Sequence, residues 1–118
     1  MKLQFIVYGD PVGKERPRKG KWGHFYTPTK TKKYQKQIGL NYIVIHRGKK
    51  FPEETKIYLD LKIYFRSKIH PDADNVFKLV ADALEGVAYK NDKYIVGSCD
   101  YDFDNKVPRI IIALGDEQ

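Results

Sequence analysis

One cysteine, one tryptophan and one methionine in 118 residues exclude several chemistries at once. Cys99 alone cannot close an intrachain disulfide or build a cysteine-based zinc site. It is read as a small apolar strand residue rather than a nucleophile. No stretch approaches the ~18 apolar residues of a membrane span. The opening Met1-Lys2-Leu3-Gln4-Phe5-Ile6-Val7-Tyr8-Gly9 is too short and too strand-like for a signal peptide. A cytoplasmic location without membrane contact is therefore expected. Histidine is scarce too, and His24, His46 and His70 lack metal-ligand spacing. No context supports Ser/His/Asp catalysis. Gly9-Asp10-Pro11-Val12-Gly13-Lys14 lacks the spacing of a phosphate loop. Acids are the minority, 15 against 22 Lys and Arg, which gives a net charge of +7 and a pI near 9.4. That balance suits a polyanionic partner, either nucleic acid or an anionic membrane surface. Hydrophobic content of 42% with nine tyrosines argues against disorder.

What is present reads as one domain over residues 1–118. Leu3, Phe5 and Val7 alternate with polar neighbours over residues 2–9, the period of a half-buried strand. Residues 10–21 are rich in breakers and charge and read as a loop. Thr27-Pro28 predicts a helix start, and Tyr34, Ile38, Tyr42 and Ile45 carry helical spacing over 28–46. Ile57, Leu59, Leu61, Ile63 and Phe65 mark the clearest strand, within residues 54–66. Phe77, Val80, Ala81 and Leu84 predict a second helix over 74–85, with Gly86 placed to end it. Two β-rich runs follow at 93–103 and 107–114. The Asp104-Asn105-Lys106 between them predicts a hairpin turn. The expected class is α/β in the α+β sense: a mixed sheet of about four strands with two main helices packed on it.

Asp72, Asp74 and Asp92 stand out in so basic a chain. Each has an ordinary structural reading. Asp72 can cap the second helix, Asp74 can favour its N-terminal dipole, and Asp92 after Asn91 can be turn chemistry. Together they suggest more, because one helix start needs one cap, and Lys78 shares a helix face with Asp74 at i+4. Carboxylates are the hard oxygen ligands Mg²⁺ takes, and metal plus lysine can stabilise charge on a scissile phosphate. Asp82, at i+4 from Lys78, reads as a solvated partner of that lysine, with orientation of Lys78 as its alternative role. Asp100, Asp102 and Asp104 alternate on one strand face. They begin like a calcium loop, but its glycine and bidentate glutamate are missing. They read as a solvated face turned away from a polyanion.

The bases are local as well. Nine Lys or Arg fall between Lys14 and Lys36 against the single acid Glu15, with Trp22, Phe25 and Tyr26 interleaved. A solvated loop and a lysine-rich helix face would explain the run. Contacts from Lys14, Arg16, Arg18, Lys19 and Lys21 to a phosphate backbone, with rings for stacking, would explain it too. His70, when protonated, would add positive charge near phosphate.

The segment Pro71-Asp72-Ala73-Asp74-Asn75-Val76-Phe77-Lys78, the Asp82-Ala83-Leu84 helix end and the turn at Asp92 resemble the RusA family of crossover-junction endodeoxyribonucleases. These are small Holliday-junction resolvases common in prophages. Gly13-Lys14-Glu15-Arg16-Pro17-Arg18 is similar to the family's basic element, and Tyr26-Thr27-Pro28 follows as expected. The resemblance covers most of the chain. It implies Mg²⁺ on Asp72, Asp74 and Asp92, with Mn²⁺ as a substitute, and an important lysine at Lys78. It also implies a homodimer whose two sites cut a four-way DNA junction in recombination and repair. Members often carry two aspartates at the acidic turn, where this chain has Asn91-Asp92. Weaker metal affinity is the expected cost. Two alternatives stay open: a less selective Mg²⁺ nuclease on flaps or single strands, and a non-catalytic DNA-binding module.

Overall fold

The computed structural model describes residues 1–15, 18–21, 23–26 and 29–117, with the backbone alone at 18, 25 and 26. Strand β1 spans Lys2–Tyr8. The short strands β2 (Arg18–Lys19) and β3 (Phe25–Tyr26) pair with each other. Helix α1 runs Thr29–His46, β4 Ile57–Phe65 and α2 Ala73–Leu84. A 3-10 turn at Asp92–Tyr94 leads into β5 (Ile95–Phe103), and β6 is Arg109–Gly115. The expected Thr27-Pro28 helix start lies outside the described residues.

The α+β expectation holds: four strands form one mixed sheet in the order β1-β6-β4-β5, and two helices pack on it. The period-two pattern of β4 decides which face they cover. Its residues 57, 59, 61, 63 and 65 are buried while 58, 60, 62 and 64 are not. On the same face, Phe5 and Val7 of β1 and Ile110, Ile112 and Leu114 of β6 stand in register with them. From the helices come Ile38 and Tyr42 of α1, and Val76, Leu79, Val80 and Leu84 of α2. Burying each Leu or Ile is worth about 1.5–3 kcal/mol. Among the described residues, no helix is long and apolar enough to cross a membrane.

The predicted hairpin is corrected. β5 pairs with β4 in parallel, whereas β6 pairs with β4 antiparallel on its other side. Strands that flank a common neighbour stand about 10 Å apart, too far for a tight turn. Residues 104–108 instead cross the end of β4. The Asp104 N–H donates to the Phe65 carbonyl at 2.8 Å. The Asp104 carboxylate accepts from the Lys106 and Val107 N–H groups at 3.0 and 3.1 Å and pairs with Arg109 at 3.0 Å. These bonds hold its carboxyl below the usual carboxylate range. Asp104 thus organises the crossing. Asp100 and Asp102 remain in β5, on the face away from α2, and Asp100 pairs with Lys62 of β4 at 3.0 Å. The 10–21 loop also departs from expectation, since residues 18–19 are in a strand; two residues show no period to read.

Candidate active site

Helix α2 starts where the sequence says it should. Asp72 is its N-cap, and its carboxylate accepts the Asp74 N–H at 2.8 Å. The Asp72 carbonyl accepts the Val76 N–H at 3.1 Å. Asp74 lies in the first turn, where the helix dipole favours an anion. Lys78, one turn on, pairs with Asp74 at 3.5 Å, and both side chains are exposed. Such a pair adds only about 0.3–0.5 kcal/mol, so it leaves both groups free to exchange partners.

The loop after β1 is stapled to this helix. Gly13 sits so close that an added Cβ would lie 2.9 Å from the Pro71 Cβ and 3.3 Å from the Asn75 Cβ. The Lys14 N–H donates to the Asn75 carbonyl at 2.9 Å. The Lys14 ammonium then reaches Asp82 at 2.6 Å. Here the expected Lys78–Asp82 pairing is corrected: Asp82 takes Lys14, and Lys78 takes Asp74. Lys14, expected among the DNA-gripping bases, therefore lies against α2 beside the acids.

Asp92 arrives from the far side. Tyr89 is buried, and its hydroxyl donates to the Ala81 carbonyl at 2.5 Å, which pins the turn under α2. Burial first, then the charges of Asp92, Glu85 and Asp82, push the Tyr89 phenol far up. Asn91 caps the 3-10 turn by accepting the Lys93 N–H at 3.0 Å, so the departure at this position has a structural use. The Asp92 N–H donates to Glu85 at 3.0 Å. Glu85 was not singled out from sequence; its place beside Gly86 at the helix end was the only signal. A concavity lined by Lys14, Lys78, Asp82 and Asp92, floored by Phe77 and Ile95, opens between α2 and the start of β5. A neighbouring concavity holds Asp72, and Lys14 lines both.

The floor fixes how close helix and strand approach. A Cβ at Gly97 would lie 2.1 and 2.4 Å from two carbons of the Phe77 ring and 2.8 Å from the Leu59 carbonyl oxygen. Further along β5, the Cys99 thiol is 3.9 Å from the Ala73 carbonyl. Burial, then Asp74, Asp72 and Asp100, raise its pKa, which fits a half-buried strand residue and not a nucleophile.

The acids are strung along one edge of α2. Asp72 and Asp74 lie at its start and Asp82 lies two turns beyond Asp74, about 12 Å along the axis at 1.5 Å per residue, while Asp92 lines the same concavity as Lys14, Lys78 and Asp82. Among the described residues, no three Asp, Glu, His or Cys side chains are gathered tightly enough to hold a metal ion. The donor chemistry nonetheless fits a hard cation, since the exposed oxygens are carboxylates. Of the other expected DNA contacts, Lys19 and Lys21 are exposed. Arg16 and the side chain of Arg18 lie outside the described residues.

Comparison with known proteins gives a consistent result. The sequence profile of the family described as Endodeoxyribonuclease RusA matches residues 8–115. The chain is also 29% identical over 140 residues to "Uncharacterized protein YqaN" of Bacillus subtilis (strain 168), covering 95% of this chain and 94% of that one.

Proposed function

Because the chain belongs to the RusA endodeoxyribonuclease family, we propose that it is a Mg²⁺-dependent nuclease that cuts four-way DNA junctions as a homodimer. The family's nucleases use a divalent cation. In this chain Asp72, Asp74 and Asp92 would hold it. When bound, the cation lowers the pKa of a water and offsets charge on the scissile phosphate. The observation that carries the proposal is the strip of exposed carboxylates with Lys14 and Lys78 set among them along one edge of α2. Apart, Asp72, Asp74 and Asp92 repel one another, and lysines offset part of that charge. Loading a cation asks Asp74 to release Lys78.

The residues have separable tasks. Lys78, freed from Asp74, faces the phosphate and stabilises charge on it or on the leaving oxygen. Lys14 enters the same concavity from the other side and neutralises a second phosphate oxygen. Lys19 and Lys21, with Arg16 and Arg18, grip the flanking backbone by releasing counterions. The site belongs to a cytoplasmic enzyme of prophage origin, and Mn²⁺ would replace Mg²⁺.

Cleavage of a synthetic junction with and without Mg²⁺ tests the proposal against duplex, flap and single strand. Cutting confined to the junction and dependent on the cation is expected. Equal rates on all four substrates would leave a nuclease without junction selectivity. The Asp74→Asn variant separates an enzyme from a binding module, which the capping role of Asp72 alone would suit. An enzyme loses cutting yet keeps junction binding; a helix-dipole residue leaves any cutting intact.

A further inference from the structure

The free edge of the sheet carries rings that the proposed reaction leaves unused. β5 is an outer strand, and Tyr101 and Phe103 stand opposite Ile63 and Phe65 of β4, on the face that carries α2. His70, in the segment leading into α2, lies flat on Phe65, with ring centroids 4.0 Å apart and planes 15° apart. Tyr101 meets Phe65 edge-on at 5.7 Å and Phe103 edge-on at 6.0 Å. His70 is 5.5 Å from Tyr101 and 5.7 Å from Phe103. Phe65 is buried, yet Tyr101 is 47% and Phe103 45% exposed, and Ile69, next to His70 in the chain, is 95% exposed. A rigid strand therefore holds two large rings half open, each already braced by other rings. Apolar surface kept in water this way gains free energy when something flat covers it.

Charge and position identify the cover. Lys68 and Lys106, both exposed, stand two residues before His70 and three after Phe103 in the chain. Cys99, two residues before Tyr101 on the same face, touches Ala73 between Asp72 and Asp74. Tyr101 thus lies about 7 Å and Phe103 about 13 Å along the strand from the start of α2. A flat group attached to a polyanion fits this surface. A second copy pairing along β5 fits it poorly, because Asp100 and Asp102 of the two edges would approach one another. Those acids face the other side of the sheet, and Lys62 partners Asp100, so they do not obstruct the ring face.

We propose that Tyr101 and Phe103, backed by His70 and Phe65, form a stacking platform for an unpaired nucleobase next to the cutting site. It rests on the nuclease reading above, in which strands exchange at a branch and a base can leave the stack. Aromatic side chains serve single-stranded nucleic acid in this way without sequence preference.

The test uses the full chain carrying Asp74→Asn, so that substrate survives, with a four-way junction and a short single strand containing 2-aminopurine at the branch or mid-strand. Binding should quench the 2-aminopurine. The Tyr101→Ala/Phe103→Ala variant should lose the quench and bind about ten-fold or more weakly. Tyr101→Phe should retain both, whereas Tyr101→Leu, which is apolar without a ring face, should lose most of the quench. Unchanged quenching and affinity in the double variant would overturn the platform while leaving the nuclease reading intact. So would a self-association that the double variant abolishes with quenching preserved. If the unsubstituted chain neither binds nor cuts any of these DNAs, the nuclease reading fails and the platform with it.

Discussion

One carboxylate oxygen of Asp72 already accepts the Asp74 N–H, so capping and cation binding would fall on the same side chain. Substitution can separate them. Asn caps a helix as well as Asp does, whereas Ala does not. Asp72→Asn should therefore abolish cleavage with the thermal midpoint nearly unmoved. Asp72→Ala should abolish cleavage and also cost about 0.5–2 kcal/mol in urea unfolding. An Asp72→Asn protein that still cuts would remove Asp72 from the chemistry. Asp104 works differently, since its bonds hold its carboxyl below the usual range. A group with a depressed folded pKa adds stability above its unfolded value, near 3.9, and loses it as pH falls through the folded one. Urea midpoints should fall with acidification below about pH 4, and Asp104→Asn should flatten that fall. At this scale the sequence was informative about what a residue is and poor on what it meets. Asp74 and Lys78 were legible because i and i+4 share a helix face. The Lys14–Asp82 contact was not, because no local period links a loop after β1 to the end of α2.

Among elements, the approach of α2 to β5 controls the site. Phe77 crosses the strand where Gly97 leaves room for its ring. Gly97→Ala should push α2 outward and cost about 1–3 kcal/mol, as overpacking does. Because Lys78 and Asp92 face each other across that contact, cleavage should fall more than the lost stability explains. Circular dichroism melts beside junction cleavage rates would show it. An undisturbed rate would mean that the two elements need not be held at this spacing. The elements themselves were legible where a period ran long enough, as in β4 and α2. The sheet order was not. Asp104-Asn105-Lys106 has turn chemistry, but such chemistry states that the chain reverses, not whether it returns beside its own strand or beyond a neighbour. Burial gives the physical reason for the outcome: β4 is apolar along its inner face and takes a central place, while β5 is largely exposed and takes the edge.

For the molecule as a whole, the excess of bases predicts how it meets DNA. Junction affinity should fall linearly on a log–log plot against salt. Removing Lys19 or Lys21 should flatten the slope by about one for each lost phosphate contact. A slope that does not change would make the basic loop a bystander.

β6 follows every other element in the fold, yet it sits between β1 and β4. Until it arrives, β1 has no neighbour in the large sheet, and the β4–α2–β5 unit has one flank open. A chain emerging from the ribosome can therefore assemble the acidic strip on that unit early but cannot tether Lys14 to it firmly, since the loop bearing Lys14 hangs from β1. Nuclease activity would then await β6, the strand that seats β1 and, with it, the loop bearing Lys14.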